Sequence, residues 1–270
     1  MSLRIQHNIE AMNAHRQLIG TSDQLSKSMK RLSSGYRINS AADDAAGLAI
    51  SEKLRSQIAG LAQAHRNAQD AVSLVQTAEG SLQEVHSMLQ RVRELAVQYK
   101  NGTLSTEDRN AIQSEINMLA SEVERIGSSA VFNGISLLSG NITVTFQVGA
   151  NDGETIQVTT MTLYGGAVPL SAFALSATGG NDISEIDAAI INLNAMRATY
   201  GATQNRLEHL INNLSTYEEN ITASESRVRD VDMADEMANL TKLQILQQAG
   251  TSMLAQANQS SQGVLNLLRG

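Results

Sequence analysis

Cysteine and tryptophan are absent from this chain of 270 residues, proline occurs once, and aromatic residues make up only 3% of it. Without cysteine, the chain has neither disulfide bonds nor thiolate metal ligands. Because rings are so scarce, the 42% of hydrophobic residues are mostly aliphatic side chains and methionine, which suit narrow seams between helices better than a bulky globular core. The composition therefore predicts a mainly α-helical protein.

Positive charge is also in short supply. The net charge is -7 and the isoelectric point is about 5.3, whereas a surface that binds nucleic acid needs a basic face, so we expect no nucleic-acid partner. The longest uncharged stretch, residues 243–268, is long enough to span a bilayer but contains six glutamines, so we expect no membrane insertion. Residues 1–9 lack the apolar core of a secretory signal, and secretion would need another route.

A long helix is the clearest pattern in the sequence, from about residue 45 to 99. Its apolar positions recur every three or four residues, with a mean spacing close to the 3.5 of a left-handed coiled coil. At a rise of roughly 1.5 Å per residue, such a helix is about 80 Å long, which predicts a rod. The seam positions are Leu54, Ile58, Leu61, His65, Ala68, Val72, Val75, Ala78, Leu82, Val85, Leu89, Val92, Ala96 and Tyr99.

Three more elements follow this helix. Ser105 or Thr106 can cap a second helix that ends near Gly127. Apolar and polar residues alternate in 142–148 and 156–158 on either side of a glycine-containing turn, which predicts a β-hairpin, and 161–181 is expected to be a surface loop. Helical spacing returns from Ile183 to Val231. The predicted fold is mainly α: an elongated rod of long antiparallel helices with coiled-coil packing, plus a small β-hairpin subdomain.

Both ends of the chain carry thinner apolar stripes that are interrupted by small or polar residues. One thin helix pair buries too little surface to offset the entropy lost on ordering, so we expect both ends to be disordered in the free chain and to fold when copies pack together. An interface of this kind propagates into a helical filament. The predicted self-assembly residues are Ile5, Ile9, Met12, Leu25, Leu32, Leu243, Leu246, Met253, Val264 and Leu267.

These elements divide the chain into five predicted segments. Residues 1–33 form an N-terminal filament-core helix, 34–44 a joint, and 45–181 the first part of a rod domain. Residues 182–230 form its return helix, and 231–270 form a C-terminal filament-core helix.

Catalytic and metal-binding patterns are missing from the sequence. The five histidines are scattered, and no pair has the spacing of a helical ligand set. No nucleophile–base pair or phosphate-binding loop is present, and paired carboxylates on a rod lack a cleft. We therefore expect no enzymatic activity, no cofactor and no metal site.

Several segments resemble a known family. Residues 31–50, RLSSGYRINSAADDAAGLAI, strongly resemble the signature of bacterial flagellins, and the resemblance continues in 89–98, 131–134, 200–207 and 247–269. It implies a structural subunit of the extracellular flagellar filament, without extra outer domains. It also implies unfolded export by the flagellar type III apparatus, an export chaperone at the C-terminal helix, and contacts with cap and hook-junction proteins.

The resemblance also marks two groups of residues. Glycines flank the joint, which we interpret as a hinge, against the alternative of an ordinary loop with a helix start at about 41–44. The joint residues are Gly35, Tyr36, Arg37, Asn39, Asp43, Asp44 and Gly47. Residues 90–95 resemble the surface that the vertebrate Toll-like receptor for flagellin detects, although solvated charges would look the same. The implied receptor contacts are Gln90, Arg91, Leu95 and Glu115.

Two other functions stay open. A hook–filament junction protein shares flagellin-like ends and the same export route, but is expected to diverge in the joint signature. A secreted binding module would use the hairpin to hold a ligand, and deleting 141–159 would then abolish binding while assembly survives.

Overall fold

The structure, a computed structural model, describes residues 8–163, 167, 168, 173 and 182–267, with side chains in the last range described as far as residue 259. This part of the chain is predominantly helical. The chain divides into two compact units: the first comprises Met1–Ser56 and Ile221–Gly270, and the second comprises Gln57–Asn220. The elements are α1 (Ile9–Ser34), α2 (Ala45–Tyr99), α3 (Thr106–Ser129), β1 (Val131–Phe132), β2 (Ile135–Ser136), β3 (Thr143–Gln147), β4 (Thr155–Thr159), α4 (Asp182–Arg229) and α5 (Met233–Leu267). Among the described residues, no helix combines the length and apolarity needed to cross a membrane.

The long helix α2 has the predicted seam. All fourteen predicted positions are buried or half-buried, and Leu82, Val85, Leu89 and Val92 have no exposed surface at all. The heptad spacing keeps these side chains on one face, and their burial supplies much of the hydrophobic stabilisation of the second unit.

Ion pairs show that α2 and α4 run antiparallel in the second unit. Arg93 Nε lies 2.6 Å from Asp187 Oδ1, and Arg197 Nη2 lies 3.7 Å from Glu79 Oε1. Because the partners ascend along one helix as they descend along the other, the helices have opposite directions. This confirms the predicted mainly α fold with antiparallel helices.

Helix α3 begins where its capping residues predict. The Ser105 hydroxyl accepts the Asp108 N–H at 3.1 Å, while the Asp108 carboxylate accepts the Ser105 N–H at 3.2 Å, which makes a capping box. After α3, the sequence reasoning missed the short hairpin β1–β2. Its turn has positive φ at Asn133 (48°) and Gly134 (80°), the pattern of the tight turns that Asn-Gly favours.

The predicted hairpin is formed by β3 and β4, which pair antiparallel with Thr145 opposite Gln157. Ile156 and Val158 are buried on one face while their neighbours in β4 are exposed. The hairpin lies against α2, because Asn67 Nδ2 donates to the Gln147 carbonyl at 2.8 Å. Of the predicted loop 161–181, Leu163, Val168 and Phe173 are buried, and most of the remainder lies outside the described residues.

In the first unit, α1 and α5 pack against each other along their lengths. Asn8 Nδ2 donates to the Ala257 carbonyl at 2.8 Å, and Arg31 Nη1 lies 3.8 Å from Glu236 Oε2. The early part of α1 therefore meets the late part of α5, so this pair is also antiparallel.

Candidate functional site

The seam between α1 and α5 consists mostly of small and polar residues. The residues that are buried or half-buried recur every three or four positions along both helices, as in a coiled coil. On α1 they are Ala11, Ala14, Leu18, Thr21, Leu25, Ser28 and Leu32; on α5 they are Glu236, Leu240, Leu243, Gln247, Gly250, Leu254 and Ala257. Six of these fourteen residues are leucines and the other eight are small or polar, so the apolar surface that the pair buries comes mainly from the leucines.

Most large apolar residues of α1 and α5 point away from this seam. Met12 is 60% exposed and Met253 64% exposed. Isolated exposed apolar residues are ordinary, but a helix pair whose largest side chains face outward presents extended apolar surface. The exposed large residues of the two helices are Ile9, Met12, Ile19, Met29, Met233, Met237, Ile245, Leu246 and Met253.

The predicted self-assembly residues therefore fall on two different faces. Leu25, Leu32 and Leu243 lie in the seam, whereas Ile9, Met12, Leu246 and Met253 lie outside it. The single stripe expected from the sequence is wrong, because selecting the largest residue in each turn overlooks the seam positions that alanine, serine, threonine and glycine occupy. Ile5 and the side chains of Val264 and Leu267 lie outside the described residues.

The joint, residues 34–44, is held to the chain between α4 and α5 by backbone hydrogen bonds. The Arg37 N–H donates to the Arg229 carbonyl at 2.7 Å, and the Val231 N–H donates to the Gly35 carbonyl at 3.0 Å. Gly35 ends α1 in the left-handed conformation (φ 76°) and donates its own N–H to the Arg31 carbonyl, as a helix-terminating glycine does. Both backbone groups of Gly35 are thus engaged.

Two carboxylates organise the rest of the joint. Asp43 Oδ2 accepts the backbone N–H groups of Asn39 at 3.2 Å and Ser40 at 3.0 Å. The hydrogen bond from the Ser40 hydroxyl is the main reason why the pKa of Asp43 lies below its ordinary value. Asp44 Oδ1 accepts the Gly47 N–H at 2.9 Å, so it caps the start of α2.

Arg229 links the joint to α2 and was missed by the sequence reasoning. Its guanidinium lies 4.7 Å from the centre of the Tyr36 ring and 2.7 Å from Glu52 Oε1, which is a cation–π contact combined with an ion pair. The hydrogen bond from Arg229 is the largest cause of the lowered pKa of Glu52. Arg229 and Glu52 are 177 residues apart, so no local pattern could have paired them.

The packing around Gly47 does not support the hinge interpretation at that position. A Cβ atom added there would lie 2.6 Å from Ile38 Cδ1 and would also collide with the Asp44 carboxylate. Ile38 itself is buried. Close packing therefore explains this glycine without a hinge, and α2 begins directly after Asp44, as the alternative interpretation expected.

The predicted receptor residues lie in the second unit, and the structure brings two of them together. Arg91 Nη2 lies 2.9 Å from Glu115 Oε1, and a further contact joins Arg91 to Glu94. The hydrogen bond with Glu115 is the main cause of the raised pKa of Arg91. Gln90 is exposed.

Leu95 differs from the other predicted receptor residues. Only 2% of its surface is exposed, so its side chain faces the core of the second unit. This burial does not fit a surface contact for Leu95. The sequence reasoning left this position out of the α2 seam, although it directly precedes the seam residue Ala96.

Comparison with known proteins gives matches at both ends of the chain. A family model for the bacterial flagellin N-terminal helical region matches residues 5–143, and one for the C-terminal helical region matches residues 183–268. The flagellin of Halalkalibacterium halodurans is 52% identical over 98% of this chain and 99% of its own length. The flagellin of Bacillus subtilis is 45% identical over 99% of this chain and 100% of its own.

A solved structure from Vibrio parahaemolyticus, provisionally assigned as a flagellar hook-associated protein, has a similar fold. It matches with a TM-score of 0.61 at 16% identity, covering 70% of this chain and 100% of that chain. At this identity the match bears on the fold alone.

Proposed function

The chain belongs to the bacterial flagellin family and is a structural subunit of the flagellar filament; on this premise we propose that α1 and α5 carry its polymerisation. The observation that supports this most is the outward position of their large apolar residues. Neighbouring copies would cover these side chains, and each fully buried Ile, Leu or Met contributes about 1.5–3 kcal/mol. A rotation between copies that does not close then produces a helical filament.

Folding of the two ends is coupled to this assembly. The α1–α5 seam offers small side chains such as Ala11 and Gly250, and the stabilisation from such a seam is slight compared with the entropy of ordering two long helices. Both helices are therefore disordered in the free chain and form when other copies cover their outer faces. Backbone NMR of the free chain would contradict this proposal if it showed ordered terminal helices.

The filament lies outside the cell, and the chain reaches it unfolded through the flagellar type III apparatus. The absence of cysteine supports this route, because a disulfide would obstruct the passage of an extended chain. An export chaperone at α5, a cap protein at the growing tip and hook-junction proteins are the implied partners.

Seeded growth tests the assembly role. Ile19→Asp places a charge on the outer face of α1, where Ile19 is 50% exposed, and we expect it to stop elongation on filament seeds in electron microscopy. Gln17→Asp is the matched control, because Gln17 is an exposed polar residue of the same helix. Normal growth of the Ile19 variant would contradict the proposal.

Recognition by the Toll-like receptor for flagellin is a second candidate function, supported by the exposed pair of Arg91 and Glu115. A receptor reporter assay with Arg91→Ala should show reduced activity. Arg125→Ala is a control, since Arg125 is an exposed arginine paired with Glu122 in α3. Full activity of the Arg91 variant would contradict this role.

The alternative functions have less support. The flagellin relatives match over almost the whole chain, joint included, which favours a filament subunit over a hook–filament junction protein. The hairpin packs on α2 through Asn67, and the turn residue Ala150 lies close to Gly60, so the hairpin serves as part of the core rather than as a free ligand-binding arm. The structural nature of the family favours a protein without enzymatic activity.

A further inference from the structure

The seam of α5 repeats so regularly that periodicity alone does not define its alignment with α1. Its positions, from Glu236 to Ala257, alternate strictly between steps of four and three. A strict heptad seam presents the same spacing after a shift of seven residues, so something other than spacing must select one alignment. Two residues of the α5 seam, Gly250 and Glu236, have side-chain environments on α1 that depend on the alignment.

Gly250 forms a gap that receives Leu18. A Cβ atom added at Gly250 would lie 3.2 Å from Leu18 Cδ1, tighter than an ordinary van der Waals contact. Glycine inside a helix is destabilising relative to alanine, and this close approach gives a packing reason for its presence. A larger residue at position 250 would displace the Leu18 side chain from the seam.

Glu236 is a buried carboxylate at the other end of the seam. It is 9% exposed, and its Oε2 lies 3.8 Å from Arg31 Nη1. A buried charge that loses its partner is strongly destabilising, whereas a paired one is tolerated. Asn239 Nδ2 also donates to Glu236 Oε1 at 3.4 Å, but this contact lies within α5 and is the same in every alignment. Arg31 is therefore the partner of Glu236 that depends on the register.

A shift of one heptad removes both contacts. In one direction, Leu18 would face Ala257 and Arg31 would face Leu243, which leaves Glu236 without its cation. In the other direction, Leu18 would collide with Leu243, and Glu236 would face Leu25 instead of Arg31. Each shifted alignment therefore loses a charge pair, and the second also overpacks the seam.

We propose that Gly250 and Glu236 determine the register of the terminal helix pair, Gly250 by admitting Leu18 and Glu236 by requiring Arg31. This inference rests on the proposed role of α1 and α5 in the filament core. The backbone bonds between Gly35 and Val231 hold only the end of the pair nearest the joint. Asn8 lies about 40 Å further along at roughly 1.5 Å per residue, so the distant half needs its own register contacts.

Introduced cysteines can report this register, because the chain has no cysteine of its own. The native reporter combines Asn8→Cys with Ala257→Cys, at positions that the structure joins by a 2.8 Å hydrogen bond. The shifted reporter combines Asn8→Cys with Val264→Cys, seven residues further on. Full-length chains carrying either pair are grown on filament seeds, oxidised, and scored for intramolecular disulfide.

The central variant is Gly250→Leu, placed in both reporters. We expect about a tenfold loss of the native disulfide or of filament growth, and recovery of both when Leu18→Ala is added. Gly20→Leu is the control, because a Cβ atom at Gly20 in α1 has no neighbour within 4 Å. A native disulfide at the original yield in Gly250→Leu filaments would overturn the proposal, since the joint alone would then set the register. Failure of Leu18→Ala to restore the native yield would also overturn it.

A charge exchange tests the second contact independently. Arg31→Glu and Glu236→Arg should each lower the native disulfide yield or growth severalfold, and the double variant should recover it. Lys27→Glu, on the same helix, controls for the change in charge. No recovery in the double variant would contradict the role of Glu236. The chain that carries only the native reporter must grow on seeds. If it does not, the proposed function is contradicted, and the register proposal falls with it.

Discussion

The seam of α2 and the seam between α1 and α5 share heptad spacing, but α2 buries most of its large side chains, whereas α1 and α5 expose many of theirs. In α2, Leu82 and Leu89 have no exposed surface. In the terminal pair, Ser28 is buried while Met12 and Met253 are more than half exposed. The α2 seam thus buries most large apolar residues of its helix, whereas the terminal helix pair places six leucines in its seam and leaves nine large apolar residues on its outer faces, among the side chains that the structure describes.

This difference separates a part that is stable alone from a part that needs other copies. Hydrophobic stabilisation scales with the apolar area removed from water, and only the second unit removes most of its large side chains within one chain. The outer faces of α1 and α5 gain the same stabilisation only when neighbouring subunits cover them. The experiments below challenge this contrast, from the largest expected effect to the smallest.

Removal of residues 243–270 tests the contrast most severely. The truncation deletes most of α5, so we expect no filament growth on seeds in electron microscopy. Circular dichroism should still show a cooperative helical protein, because α3, α2 from Gln57 onward and α4 as far as Asn220 belong to the other compact unit. Long filaments formed by the truncated chain would show that the terminal pair is dispensable.

A pair of alanine variants compares the α2 seam with the outer face of the terminal helix pair. Leu89→Ala should lower the free energy of unfolding of the free chain by about 2–5 kcal/mol, because it opens a cavity at a fully buried position. Met253→Ala should leave the denaturant midpoint of the free chain unchanged but slow seeded growth. The contrast fails if Met253→Ala destabilises the free chain as much as Leu89→Ala does.

Loss of Arg229 tests whether the joint supports the terminal pair. Arg229→Ala removes the contact with Tyr36 and the pair with Glu52, which together stabilise the joint slightly. We expect the temperature at which filaments depolymerise to fall by a few degrees. Arg55→Ala is the matched control, because Arg55 also pairs with Glu52 but is exposed. Equal effects of the two variants would show that the Tyr36 contact contributes nothing.

Acid should also destabilise the joint, but by less than the Arg229→Ala substitution does. The pKa values of Asp43 and Glu52 are lowered from ordinary values of 3.8 and 4.5 by their hydrogen bonds. A lowered pKa means that the folded state binds protons less readily, so the stabilisation is complete above about pH 4.5 and is lost as the pH falls through the lowered values. Depolymerisation measured between pH 5 and 3 should be less pH-dependent in Asp43→Asn. If the pH profile of this variant is the same as that of the unsubstituted chain, Asp43 does not contribute to the acid sensitivity of the filament.

Sequence reasoning succeeded where local chemistry determines structure. The seam from Leu54 to Tyr99, the cap at Ser105 and the hairpin strands all follow from spacing and residue type. The β1–β2 hairpin was missed although its Asn133-Gly134 turn was visible in the sequence, because its strands are too short to show alternation.

The amino-acid sequence by itself determined the family, the helical content and the position of most helix ends, since these depend on neighbouring residues along the chain. Tertiary structure alone decided which face of a helix is covered, as the burial of Leu95 and the exposure of Met12 show. It also decided the pairing of Arg229 with Glu52 and of Leu18 with Gly250. The physical reason is that heptad spacing defines possible faces, whereas contacts between distant segments select the face that is buried.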